Sequence, residues 1–352
     1  MMARMRTLRR HRTALAIVLA LCSLAAGFKL VFVGTTSNSD YESYLDTAHL
    51  FSGVPAHAHP ERLLKPLAPL GVAAGTPIMG PASAFLFEML VFYLALGLAM
   101  YALGWAFFGD QRLAAFGALL CTLSYPMLRY GVDLYTETGA IFFYVSSLWL
   151  TAAYLSRPSE RLRVMNALMI GVGFLWKEYS VVAGMIFALA LAFEQVAWRE
   201  RVRNLALLAV VALIPTALVQ AWVYSAFYYT YLDWYRIGGR SGFATQFTLH
   251  NVVKSFGALL ALAWLLVPLG FLRLRSLEAW QKRFLLVAIP VPFVCLAWGF
   301  VSSRLFFVAA PAFILLALLG IRTWPRWAQY AIVALCIAVN VFWLVHNAVM
   351  SV

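Results

Sequence analysis

The chain has 352 residues, of which 63% are hydrophobic and 12% are charged, and its mean hydropathy is +0.82. A soluble domain carries roughly 25% charged residues because its surface faces water, so this composition excludes a soluble globular protein. The net charge of +13 is large enough for nucleic-acid binding. The distribution of the charges along the chain excludes that function, as described below.

The first predicted element is an uncleaved membrane span. Residues 1–12 are rich in arginine and precede an apolar run at about 13–33. A signal peptide has a shorter apolar core of roughly 7–15 residues and a small-residue cleavage site. This run is longer and carries Lys29 near its end, so we expect the chain to keep it as the first transmembrane helix.

Ten further apolar segments follow, and most of them have the length of a membrane-spanning helix. The predicted spans lie at about 13–33, 82–108, 113–130, 136–156, 164–176, 179–197, 205–226, 251–272, 284–301, 305–322 and 327–347. The pair at 164–176 and 179–197 is interrupted by Lys177 and Glu178, which leaves open two full spans or a broken pair. We therefore predict an all-α polytopic membrane protein with about 11 transmembrane helices, forming a single transmembrane domain over 1–352.

The charged residues predict the orientation of these helices. If the amino terminus is cytoplasmic, most of the 27 Lys and Arg residues fall on the cytoplasmic side and most of the 14 acidic residues on the other side. This is the positive-inside pattern, so the excess charge reports orientation and attraction to membrane lipids. We expect a multi-pass protein of the cell inner (plasma) membrane, with a non-cytoplasmic carboxy terminus and no nucleic-acid partner.

The first long non-cytoplasmic loop, 34–81, contains a predicted surface helix. Ser37, Asn38 or Ser39 can cap its start. Helical spacing places Asp40 on a polar face of this helix, and the adjacent face is partly apolar. A short amphipathic helix on the membrane surface fits this pattern.

A cationic pair follows in the same loop. Arg62 and Lys65 are three residues apart, so they would share a helical face before Pro66 and Pro69 end the helix. A carboxylate and such cations suit a reaction that deprotonates a hydroxyl while a phosphate leaves. The alternative is a solvated loop whose charges only keep it in water.

Further charged residues interrupt the apolar segments. Arg129, Asp133 and Glu137 are spaced by four and would form one stripe if this segment is helical, either functional or an interfacial ion cluster. Lys177 and Glu178 are adjacent and point about 100° apart on a helix, so each needs another partner inside the membrane.

Two more features lie nearer the carboxy terminus. The second long loop, 227–250, suits a mobile cover over a lipid-borne substrate, with candidate residues Tyr235, Arg236, Arg240 and His250. The alternative is an interfacial aromatic belt. Arg304 lies in a turn between predicted spans, where it either extends to the interface or binds a phosphate. Glu88, in the second span, is a candidate packing partner for one of these cations.

Motifs for nucleotide or tight metal binding are missing from the sequence. It has no P-loop, no GxGxxG after a strand, no HExxH and no Cys/His metal spacing. His57 and His59 form a weak metal-binding pattern. The sequence therefore requires no cofactor and leaves the need for a divalent metal open.

Several segments together resemble the GT-C superfamily of membrane glycosyltransferases. They are SDYESYLDTAHLFSG with ERLLKPLAP, then TETGAIFF, LWKEYSVV and SSRLFFVAAPAFILLALLG, in the family's order and depth. The resemblance covers most of the chain in topology. It implies a polyprenyl-phosphate-linked sugar as donor, and transfer with inversion on the non-cytoplasmic face.

The resemblance also implies roles for single residues. Asp40 matches the family's catalytic base. The candidates for binding the donor phosphate are Arg62, Lys65, Lys177 and Arg304, and those for a second acidic site that orients the acceptor or a divalent ion are Asp133, Glu137 and Glu178. Larger family members carry an extra soluble domain that this sequence lacks, which favours a lipid or glycan acceptor over a folded protein.

Two alternatives compete with this interpretation. In a transporter or lipid flippase, Lys177, Glu178 and Glu137 would line the translocation path, but the sequence shows no clear inverted repeat. A non-catalytic membrane scaffold would not explain why charges cluster at the outer ends of spans.

Overall fold

A computed structural model describes residues 2–36, 39–238, 248–298 and 303–350, and every regular element in these ranges is helical. The α-helices of the first half are α1 Met2–Phe28, α2 Ser39–Phe51, α3 Pro60–Leu63, α4 Leu67–Met79, α5 Pro81–Phe108, α6 Gln111–Thr122, α7 Tyr125–Tyr130, α8 Glu137–Ser156 and α9 Glu160–Phe174. Those of the second half are α10 Tyr179–Ala192, α11 Trp198–Phe227, α12 Tyr231–Gly238, α13 Leu249–Leu260, α14 Val267–Leu272, α15 Ala279–Ala288, α16 Ser303–Phe306, α17 Ala310–Ile321 and α18 Arg326–Met350. The predicted all-α fold class is confirmed.

Seven helical segments of the described chain are long and apolar enough to cross a membrane, by length and composition. They are His11–Val33, Pro81–Phe108, Glu137–Ser156, Trp198–Phe227, Leu249–Leu272, Ala279–Leu296 and Arg326–Val349. Shorter apolar helices occupy Leu67–Met79, Tyr179–Ala192 and Phe307–Ile321. The protein is therefore a multi-pass membrane protein, and the count of 11 full spans stays a prediction.

Breaks divide the helices at two places, of which one was expected from the sequence. The segment 113–130 forms α6 and α7, because Ser124 has an extended backbone and Pro126 follows in the first turn of α7. The stretch 164–197 forms the separate helices α9 and α10, with the break at Lys177 and Glu178. The sequence left this second case open, and the structure shows two short helices.

Helix α4 was missed by sequence reasoning. Pro66 and Pro69 were expected to end helical structure, but α4 begins at Leu67 and contains Pro69 in its first turn. Proline is tolerated there because the first amides of a helix lack an internal partner. Ala68 and Val72 of α4 are buried, and α4 packs between α2 and α5.

The centre of the bundle is built from α5, α8 and α17. Helix α5 packs against α4, α6 and α8, and α17 packs against α6 and α14. Every residue of α17 from Ala310 to Ile321 is buried. These central helices begin or end beside the connections that carry Glu137 and Arg304, and this packing fixes the position of both side chains.

Candidate active site

The exit of the first membrane helix is anchored by a buried ion pair. Helix α1 continues into a wider π-helical turn, Lys29–Val33, and Lys29 Nζ lies 2.7 Å from Asp133 Oδ2. The two side chains are 2% and 1% exposed. Thr36 adds a backbone N–H bond and a hydroxyl bond to the same carboxylate, each 2.7 Å long. The α7–α8 connection thus fixes where α2 begins.

Asp40 lies in the first turn of α2, and Arg62 contacts it from the next helix. Arg62 Nη2 donates to Asp40 Oδ1 at 2.7 Å, and Arg62 Nε donates to Ser43 Oγ at 2.8 Å. The Arg62 guanidinium also lies over the Tyr44 ring, 4.5 Å from its centroid. Because the Asp40 side chain remains 42% exposed, a substrate can reach it.

The charge state of Asp40 depends on three cations. Burial favours its neutral form, but the positive charges of Arg62, Lys177 and Arg304 and the hydrogen bond from Arg62 outweigh this effect. They hold the pKa of Asp40 below its ordinary value. The carboxylate is therefore ionised at neutral pH, the state that a general base requires.

Glu137 lies between two of these cations. It is the first residue of α8, and its Oε1 is 2.8 Å from Lys177 Nζ and 3.3 Å from Arg304 Nη1. Lys177 lies in the break between α9 and α10, and Arg304 in the short helix α16. A single buried carboxylate thus faces two positive charges from distant parts of the chain.

Hydroxyl groups join the Asp40 and Glu137 clusters. The Tyr44 hydroxyl accepts from Arg62 Nη1 at 3.4 Å and from Thr136 Oγ1 at 3.3 Å. Lys177 Nζ also donates to Thr136 Oγ1 at 3.4 Å. The expected meeting of an outer acid with cations from distant segments is therefore present in the geometry.

Lys65 and Glu178 form a third ion pair beside this network. The Lys65 ammonium lies over the ring of Trp234 in α12, 4.4 Å from its centroid, and Tyr231 of the same helix donates to Leu64 O at 3.3 Å. The prediction that Arg62 and Lys65 share one helical face is wrong, because α3 ends at Leu63 and the two side chains take different partners. The prediction that Lys177 and Glu178 each need another partner is confirmed.

The stripe predicted for Arg129, Asp133 and Glu137 is also wrong. Helix α7 ends at Tyr130 and a turn separates it from α8, so the three side chains do not share one helix. Arg129 is exposed and donates to the Tyr125 hydroxyl at 2.7 Å. Asp133 is buried against Lys29, which gives it a structural anchoring position away from solvent.

The residues of the second loop are described only in part. Arg240 and the side chain of Tyr235 lie outside the described residues. Arg236 is exposed, 3.9 Å from Asp233, and His250 is exposed in the first turn of α13. Their predicted role as a cover stays a prediction.

Metal ligands are not grouped in the described part of the chain. No cluster of three or more His, Cys, Asp or Glu side chains there has the arrangement to hold a metal ion. His59 instead contacts Asp46, with Nε2 3.0 Å from Oδ2. Glu88, a candidate partner for a cation, has its Oε2 buried without a hydrogen bond among the described groups.

Sequence reasoning missed the uncharged members of the network. Thr136, Tyr179 and Trp176 each adjoin a charge that it singled out, but none stands out by type. Trp176 Nε1 donates to Thr136 O at 2.8 Å, and the Tyr179 hydroxyl donates to Arg304 O at 3.2 Å. The only sequence feature that could have identified them is that each lies next to a charged residue, Glu137, Lys177 or Glu178.

Comparisons with known proteins bear on the family and the fold of the chain. A family model described as dolichyl-phosphate-mannose-protein mannosyltransferase matches residues 58–222. No curated protein sequence matches the chain.

Solved structures give the fold. The chain is similar to ArnT from Cupriavidus metallidurans bound to undecaprenyl phosphate, with a TM-score of 0.66 and 15% identity over 91% of this chain and 63% of that one. It is also similar to the archaeal oligosaccharyltransferase AglB from Archaeoglobus fulgidus in complex with an inhibitory peptide and a dolichol-phosphate. The TM-score is 0.60 and the identity 15%, over 95% of this chain and 55% of that one. The chain therefore has the GT-C fold, as the resemblance predicted, and spans 55–63% of the length of these two structures.

The anchoring position of Asp133 can be tested by a double-mutant cycle. Removing one partner of a buried pair costs about 3 kcal/mol because it leaves an uncompensated charge. Lys29→Met should therefore lower the thermal unfolding midpoint of the purified protein strongly, and adding Asp133→Asn should recover part of the loss. Lys254→Met, at an exposed lysine of α13, is the control and should leave the midpoint unchanged. Independent, additive losses in the double variant would contradict the pairing.

Proposed function

We propose that the chain is an inverting glycosyltransferase that moves a sugar from a polyprenyl-phosphate donor to a hydroxyl acceptor on the non-cytoplasmic face of the inner membrane. The observation that carries this proposal is the network around Asp40, in which an accessible, ionised carboxylate meets cations from three separate segments. The GT-C fold supports it, because solved members of that fold are bound to undecaprenyl phosphate and to a dolichol-phosphate.

Asp40 is the proposed general base. It takes the proton from the acceptor hydroxyl, whose oxygen then bonds to the anomeric carbon. The bond from that carbon to the phosphate oxygen breaks, and the electron pair leaves with the polyprenyl phosphate. Attack opposite the departing phosphate inverts the anomeric carbon. Arg62 keeps Asp40 ionised before substrate binds and orients the carboxylate through its contact with Nη2.

Lys177 and Arg304 are the proposed contacts for the donor phosphate. Both are held by one oxygen of Glu137, so this group carries an excess positive charge. Across the whole site, four cations face three carboxylates, the pairs of Arg62, Lys65, Lys177 and Arg304 with Asp40, Glu178 and Glu137. A departing phosphate supplies the missing negative charge, and its stabilisation would lower the barrier to transfer.

Lys65 and Glu178 have a supporting role in this proposal. Their pair holds the break between α9 and α10 against the connection between α3 and α4, and Trp234 covers it from α12. This contact positions Lys177, the residue before Glu178. Helix α12 also forms part of the second loop, whose proposed role is to close over a lipid or glycan acceptor. The transporter alternative gains no support, since Lys177, Glu178 and Glu137 are all engaged in ion pairs.

The general-base role can be tested with two neighbouring acids of α2. Asp40→Asn removes the proton acceptor but keeps the shape, so transfer should fall by about a hundredfold or more. Glu42→Gln removes the same charge from an exposed site on the same helix and should transfer at nearly the normal rate. Reconstituted protein is given a panel of polyprenyl-phosphate-linked sugars, and release of polyprenyl phosphate is measured. If Asp40→Asn keeps the rate of Glu42→Gln, Asp40 is not the base.

The pH profile tests the electrostatic coupling. Because cations lower the pKa of Asp40, the unmodified protein should lose kcat/KM only when the pH falls through this lowered value. Arg62→Gln removes the cation that contacts Asp40, so the pKa of Asp40 should rise and the acid limb should move to higher pH. Lys254→Gln, an equal charge change outside the site, should leave the acid limb in place. Coincident acid limbs in all three proteins would exclude the coupling.

A further inference from the structure

A large groove lies at the end of the bundle opposite the proposed active site. Helix α6 runs from Gln111 toward α7 and the Asp133 anchor, and the groove opens beside the start of α6. Its volume is about 1230 Å³. Helices α1 and α18 both pack against α6, and the groove lies between them, with α6 as its floor.

The body of the groove is apolar. Its walls and floor are Ala14, Ile17 and Leu21 of α1, Ala115, Phe116 and Leu119 of α6, and Tyr330, Val333, Ala334 and Ile337 of α18. Ile17 and Tyr330 are 52% and 55% exposed. Close-packed proteins leave few voids of this size, and both walls belong to membrane-spanning segments. Acyl chains are the molecules available to fill such a space.

The mouth of the groove is cationic. Arg112 and Arg326 line it together with Asp110. Arg112 Nη2 lies 3.2 Å from Asp110 Oδ2, while the other oxygen of Asp110 accepts the backbone N–H groups at the start of α6. Arg112 Nε and Nη1 are buried and make no hydrogen bond within the described residues. Two guanidinium nitrogens of Arg112 therefore remain without an acceptor among the described residues beside an apolar channel, and a phosphate is a charged acceptor that suits them.

We propose that this groove is a binding site for an anionic glycerophospholipid of the leaflet that α1 enters first. Its phosphate lies between Arg112 and Arg326, and an acyl chain follows the groove toward Leu21 and Ile337. Basic pockets between membrane helices are a recurrent form of anionic-lipid recognition. The site is separate from the proposed transfer reaction, and its occupant would join α1 to α18 across α6.

Native mass spectrometry of the full chain tests this proposal. The detergent-purified protein is titrated with phosphatidylglycerol and with phosphatidylcholine of the same acyl chains. The unmodified protein should prefer phosphatidylglycerol, and Arg112→Gln with Arg326→Gln should weaken that binding by about tenfold. Ala334→Trp, which fills the groove without changing charge, should also weaken it.

Matched controls separate the groove from general surface attraction. Arg157→Gln with Arg161→Gln removes two exposed arginines, one in the α8–α9 connection and one in the first turn of α9. Ala338→Trp adds the same bulk to an exposed position of α18 outside the groove. Both should bind phosphatidylglycerol as the unmodified protein does. Equal binding of the two lipids, or equal losses in the groove and control variants, would overturn the proposal.

Discussion

Glu137 carries the constraint on which the rest of the site depends. An ionised side chain at the end of an apolar helix is stable only when an opposite charge meets it, and Glu137 is met by Lys177 and Arg304. The first cation comes from the break between α9 and α10, and the second from the short helix before α17. This one carboxylate therefore fixes three separate parts of the bundle around a common point, from which the network extends through Thr136 and Tyr44 to Asp40.

The same electrostatic balance connects structure to chemistry. The ion pairs of the site join four cations to three carboxylates, and the extra cation suits the proposed binding of a phosphate. Asp40 differs from Glu137 in its exposure, since its side chain is 42% exposed and that of Glu137 is 5% exposed. Burial suits Glu137 to organising cations, and exposure suits Asp40 to its proposed role as the proton acceptor. The Lys29–Asp133 pair contributes to positioning, because it fixes the start of α2 and hence the position of Asp40.

Much of the fold was predictable because the membrane imposes long apolar helices, so α1, α5, α8, α11 and α18 follow from composition alone. For the site, the sequence predicted only that a charge within an apolar segment needs an oppositely charged partner, and it did not predict which residue that partner is. Lys177 and Glu178 had to find opposite charges, but no local pattern could assign Glu137 to the first and Lys65 to the second. A stripe of Arg129, Asp133 and Glu137 was expected because spacing by four suggests a shared helix face, whereas the chain turns between α7 and α8. Helix α4 was missed because the tolerance of a first-turn proline depends on where the helix begins.

In the proposed reaction, Asp40 acts on one side of the anomeric carbon, and Lys177 and Arg304 act on the opposite side. Cryo-electron microscopy of the Asp40→Asn chain with a bound polyprenyl-phosphate-linked sugar measures this arrangement directly. We expect the phosphate within hydrogen-bond distance of Lys177 and Arg304, and residue 40 facing the anomeric carbon from the opposite side. A donor phosphate bound elsewhere, with both cations still held by Glu137 alone, would contradict it.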